Sequence, residues 1–204
     1  KLLAKNASVI CTAYDGMEKV FPKHKIVLTG NPIRSEIVNS TAARSEAMKY
    51  FGLDEHKRTI IVIGGSLGAR TLNKSIEAMV DRIAESGVQV LWQTGKIYFE
   101  DYKHIGAEQK DIKVVQFIDR MDYAYACADV VISRAGALSI AELQVVGKPV
   151  ILVPSPNVTE DHQTHNAMAL VIKHAAIMVK DDEAKVNLVP IAIDLLNDEK
   201  LRKE

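Results

Sequence analysis

Apolar residues in this chain gather into short runs separated by polar, helix-spaced segments. Thr59-Ile60-Ile61-Val62-Ile63 is the clearest run, five β-branched residues in succession, and it predicts a strand buried on both faces. Val88–Trp92, Ile112–Val115, Asp129–Ser133, Val150–Val153 and Ala176–Val179 repeat the pattern. Helices are predicted over Thr41–Phe51, with Gly52 as the stop, and from the glycine loop at 64–68 to about Glu85. A weak helix follows over Tyr98–His104, and another runs through Cys127 after the loop Phe117–Met121. Further helices start at Leu138 and near His162, and the last covers Lys185–Asn197. Six strands alternating with helices predict an α/β fold, a doubly wound parallel sheet of the Rossmann-like kind, from about Ile33 to Lys180.

The stretch from Ala128 to Asn166 organises the rest. A strand turns through Arg134-Ala135-Gly136-Ala137 into a helix, and Gly147-Lys148-Pro149 stops that helix before the next strand. A polar segment from Asn157 to Asn166 follows. Strand, turn, helix and strand make one right-handed βαβ crossover, and ligands collect beyond the carboxyl ends of such strands. Arg134, Gly136 and the loop from Pro154 to Asn166 fall there. Upstream, Ser8–Thr12 and Ile26–Leu28 are two short strand candidates, too little to bury a core. Thr29-Gly30-Asn31-Pro32 punctuates as a hinge, and Arg34 follows at once. Residues 1–33, which open without an initiator Met, read as the tail of another domain.

Composition narrows the classes. The chain is 48% hydrophobic and 25% charged, an ordinary globular balance. Its 26 basic residues cancel 26 acidic ones, so no nucleic-acid footprint is expected. No apolar run reaches the roughly 18 residues that span a bilayer. No signal peptide is visible. Cys11 and Cys127 lack zinc spacing and are expected as two buried, reduced thiols.

Gly64-Gly65-Ser66-Leu67-Gly68 sits where a strand hands over to a helix. Glycines admit a close backbone approach, helix-start N–H groups favour an anion, and Ser66 can add its hydroxyl. A glycine turn serving only helix–sheet packing explains the same residues. The dinucleotide fingerprint is absent, since the next strand ends Trp92-Gln93-Thr94-Gly95 without a carboxylate. A Walker A loop is absent too, because Lys96 is followed by Ile97. Glu142 lies one turn inside its helix, where a carboxylate can accept both hydroxyls of a ribose, while Gly136 and Ala137 meet a pyrophosphate. An exposed helix glutamate suiting the macrodipole is the plainer alternative. In Glu160-Asp161-His162-Gln163-Thr164-His165-Asn166, side chains suit sugar hydroxyls, although Asp161 fits a simple N-cap. The two histidines suggest metal only weakly.

Together these motifs resemble the C-terminal half of the MurG family, the N-acetylglucosaminyltransferases that convert lipid I to lipid II in bacterial cell-wall synthesis. The resemblance is carried by Thr29–Arg34, Gly64–Arg70, Phe117–Asp119, Arg134–Glu142 and Asp161–Ala167, in the family's order. It implies the C-terminal domain of a GT-B glycosyltransferase, with residues 34–180 binding UDP-GlcNAc. Residues 1–33 would be a remnant of the acceptor domain with its linker, and 181–204 a truncated C-terminal helix. Carried over by position, Arg34 and Ser66 would contact the diphosphate, the Ile118 backbone would read uracil, and Glu142 would hold the ribose. Ala137 and Leu138 would line the helix end, Gln163 would bind GlcNAc hydroxyls, and Asn166 would lie beside it. No metal or other cofactor is implied. The catalytic base and the lipid I and membrane contacts would lie in the N-terminal domain, so no catalytic residue is expected in this chain. The family implies a peripheral protein on the cytoplasmic side of the inner membrane, this piece itself being soluble. The alternatives are a UDP-GlcNAc 2-epimerase type, or a sugar-nucleotide-binding module without turnover.

Overall fold

The computed structural model describes residues 2–158 and 161–202, so Lys1, Thr159, Glu160, Lys203 and Glu204 lie outside the described residues. Two short strands come first, β1 (Ile10–Thr12) and β2 (Ile26–Leu28), paired parallel to each other as a separate sheet. Helices α1 (Ser35–Val38) and α2 (Arg44–Phe51) follow, then β3 (Thr59–Ile63). Next come α3 (Arg70–Glu77), α4 (Val80–Ser86), β4 (Gln89–Gln93), α5 (Phe99–Glu108), β5 (Ile112–Val115) and α6 (Met121–Cys127). The remainder is β6 (Val130–Ser133), α7 (Ala137–Val146), β7 (Val150–Leu152), α8 (His162–Val171), β8 (Ile177–Met178) and α9 (Ala184–Asn197).

The main sheet is parallel throughout, in the order β5-β4-β3-β6-β7-β8. Chain direction across the sheet reverses between β3 and β6, which is the topological switch point of a doubly wound fold. The run predicted at 59–63 earns its central place, since Thr59 to Val62 are buried while flanked by strands on both sides. Helices cover each face. One layer packs Leu72, Ile76, Leu188 and Leu195 against Ile60, Val62 and Trp92, and the other packs Met48, Phe51, Tyr125 and Ile140 against Ile61, Leu91 and Val131. α9 thus shares the layer of α3. Among the described residues no helix is long and apolar enough to cross a membrane.

Three expectations need correction. The single helix predicted to about Glu85 is two helices, broken at Ala78-Met79, where no glycine or proline stands. Met79 and Val80 are drawn onto the core, so tertiary packing bends a chain of good helix formers. Cys11 is exposed, not buried, because no helix layer covers the small sheet among the described residues; Cys127 is buried as expected. Asp161 precedes α8 with φ 51°, in the left-handed region, and its carboxylate caps no backbone N–H. It accepts a bond from the Thr164 hydroxyl at 2.7 Å.

Candidate functional site

Two loops leave the switch point side by side, Gly64–Ala69 after β3 and Arg134–Gly136 after β6. In the first, Gly68 has φ 92°, and a Cβ there would stand 2.1 Å from the Thr94 carbonyl oxygen. The Ser66 carbonyl accepts the Lys96 N–H at 3.0 Å, which ties this loop to the turn after β4. Ser66 and Leu67 are exposed on its crest.

The second loop opens α7. Gly136 stands at the N-cap with ordinary backbone angles, and no side chain caps the helix. A Cβ at Gly136 would meet nothing nearer than the Ser139 hydroxyl at 3.7 Å. The protein's own packing does not require glycine there. The helix start carries the positive end of the α7 dipole without a side-chain cap, which favours an anion there. Ala137 is partly buried and Leu138 is 54% exposed at that opening. Asn31, from the hinge, donates to the Ala137 carbonyl at 3.5 Å.

One turn into α7 stands Glu142, and it does not face water alone. Arg34 grips it in a bidentate pair, Nε to Oε1 at 2.9 Å and Nη2 to Oε2 at 2.8 Å. The Tyr125 hydroxyl reaches Oε2 at 3.4 Å. Hydrogen bonding to Glu142 pushes the Arg34 guanidinium further above its ordinary value, while burial, joined by the Glu142 charge, holds the Tyr125 phenol well above its own. Glu142, a ribose candidate, and Arg34, which the resemblance assigns to the diphosphate, are thus brought into direct contact.

The other candidates are anchored at the rim. Gln163 accepts from Ala135 N–H at 3.2 Å and Ser155 N–H at 2.9 Å through one oxygen. Asn166 donates to the Ala135 carbonyl at 3.1 Å, so it braces the turn after β6. Ile118 is buried, and its N–H is taken at 3.1 Å by Gln93, which also donates to the Gly65 carbonyl at 2.9 Å. The Ile118 N–H is therefore committed to Gln93. Arg134 spans to the Val153 and Pro154 carbonyls and to Asp181, which also accepts from the Thr71 hydroxyl at 2.8 Å. Gln93, Tyr125 and Asp181 were not anticipated as parts of this edge. A polar residue closing β4 and a phenol on the apolar face of α6 were the available signals.

A glycine-opened helix at the switch point of a doubly wound parallel sheet is an architecture that gathers ligands at the carboxyl ends of its strands, and the fold is that of the C-terminal domain of a GT-B glycosyltransferase. Residues 59–204 match the model of the glycosyltransferase family 28 C-terminal domain, and the chain belongs to that family. The resemblance drawn from the motifs is borne out by relatives. A protein of Parabacteroides distasonis named UDP-N-acetylglucosamine–N-acetylmuramyl-(pentapeptide) pyrophosphoryl-undecaprenol N-acetylglucosamine transferase is 56% identical over 98% of this chain and 55% of its own length. Its namesake in Flavobacterium psychrophilum is 50% identical over 97% of this chain and 54% of its own. The crystal structure of Acinetobacter baumannii MurG superposes with a TM-score of 0.62 at 25% identity, covering 98% of this chain and 55% of that one. The chain spans about half the length of the relatives it matches.

Proposed function

We propose that this chain is the donor-binding half of an inverting transferase that moves GlcNAc from UDP-GlcNAc to lipid I, making lipid II for peptidoglycan. The observation that carries the reading is Glu142, held one turn inside uncapped α7 at the switch point. In the proposal its carboxylate accepts the ribose diol, and the Ile118 carbonyl accepts the uracil N3–H. The N–H groups of Ala137 and Leu138, the Ser66 hydroxyl and Arg34 surround the diphosphate. Charge builds on the leaving UDP as the glycosidic bond breaks, so donors fixed in advance lower that barrier. Gln163, with its oxygen already committed, donates its NH₂ to GlcNAc hydroxyls, and Asn166 keeps the turn beneath it in place. The catalytic base, the lipid I contacts and the membrane-facing surface belong to the remaining half, which would dock at the cytoplasmic face of the inner membrane.

The 2-epimerase alternative needs unpaired acid and base carboxylates in the crevice. Glu142 and Asp181 are each tied to an arginine, which gives that chemistry no support. Calorimetry with UDP and UDP-GlcNAc tests the proposal. UDP should bind, and Glu142→Ala should weaken it roughly ten- to a hundredfold, as expected for a charged hydrogen bond worth about 1.5–3 kcal/mol. Unchanged affinity in that variant would overturn the site. No transfer to lipid I is expected from the chain alone.

A further inference from the structure

Arg34 and Glu142 stand 108 residues apart in sequence, yet each fills the other's binding face. The guanidinium fork occupies both carboxylate oxygens, the same two atoms that a ribose diol needs. The carboxylate in turn neutralises the cation that a phosphate needs. The pair is no ordinary surface contact, because the Glu142 side chain is only 12% exposed while that of Arg34 is 41% exposed. A bidentate pair with one member largely withdrawn from water holds more firmly than an open ion pair.

We propose that Arg34 and Glu142 mask one another, so that the site selects ligands carrying both a ribose diol and a diphosphate. This rests on the nucleotide reading given above. A nucleoside alone must expel Arg34 from Glu142 and offers the cation no anion in exchange. A bare diphosphate must strip Arg34 away and leaves a carboxylate that is mostly buried, with the Tyr125 hydroxyl as its remaining partner. A nucleoside diphosphate replaces both halves at once: the diol takes the carboxylate while the phosphates take the guanidinium. The pair is therefore a specificity determinant, rejecting uridine and pyrophosphate singly.

The signature is a reversal of sign between ligands. In Arg34→Met, uridine should bind roughly three- to tenfold more tightly, because its competitor for Glu142 is gone, while UDP binds about tenfold more weakly. In Glu142→Gln the complement is expected: inorganic pyrophosphate tightens by several fold and uridine weakens. Uridine and pyrophosphate affinities can be read by ligand-observed NMR, UDP by calorimetry, and folding of each variant by its thermal transition. Either arm suffices if one variant does not fold. Uridine affinity that is unchanged or lower in Arg34→Met, with UDP still bound by the parent chain, would overturn the mask alone. Absence of UDP binding to the parent chain would instead remove the nucleotide reading on which the mask depends.

Discussion

Burial pushes the Cys127 thiol up to about 11; Arg44 and Lys148 nearby pull it down, and Asp129 adds to the rise. In an unfolded chain the same thiol ionises near 8.5. Above that value the unfolded state therefore binds fewer protons than the folded one, so stability falls as pH rises, until the folded thiol also ionises near 11. Cys127→Ala removes this slope while adding a constant loss of packing. Measured by urea unfolding, the stability gap between the parent chain and Cys127→Ala should narrow from pH 8 to pH 10.5. A gap that stays constant would mean the thiol is not shielded as its burial indicates. Exposed Cys11 should take up an alkylating reagent at neutral pH while Cys127 reacts only on unfolding. The same scale shows where sequence reasoning stopped. Glu142 was singled out from its place one turn inside a glycine-opened helix and Arg34 through the family resemblance, but nothing local in either segment announces a partner 108 residues away.

At the scale of elements, the edge of the sheet is held by an interlock of turns and helix. Asn73 of α3 is fully buried; it donates to the Thr94 carbonyl at 2.9 Å and accepts from the Trp92 indole at 2.9 Å. Gly68 presses its α-carbon toward that same carbonyl, and a Cβ at Gly95 would stand 2.1 Å from the Gly68 nitrogen. Two turns meeting backbone to backbone leave no room for a side chain. Gly68→Ala should therefore cost about 3 kcal/mol, from overlap added to a strained φ. Gly52→Ala shares the positive φ but opens on free space, so about 1 kcal/mol is expected there. Chemical denaturation of the two variants compares them, and equal losses would mean the loop gives way without the interlock. Strand positions were legible because five of the six sheet runs are dense in β-branched residues, and helices because glycines mark several ends. The break at Ala78-Met79 was not legible, since it comes from packing against distant strands, not from any residue that disfavours a helix.

Across the whole molecule, burial divides unevenly. Both core layers draw their buried members from Ile37 onward. Before that point Thr12 is the buried residue among those described, while Leu2, Leu3, Val9, Val27 and Leu28 are exposed. The small sheet has two strands of three residues each, and a ribbon of that size is marginal in water without a covering layer. Its described tie to the larger body is the bond from Asn31 to the start of α7. We propose that the boundary near residue 33, expected from the hinge sequence, separates two units of different stability. Opening of the small sheet should cost far less than opening of β3, β4 or β6, whose amides are shielded by strands on both sides. Hydrogen exchange followed by mass spectrometry should show peptides over 8–14 and 24–30 exchanging at least about a hundredfold faster than peptides over 59–63 and 129–134. Equal protection would overturn the division, because it would require the exposed face of Val9, Val27 and Leu28 to be covered by a surface outside this sheet.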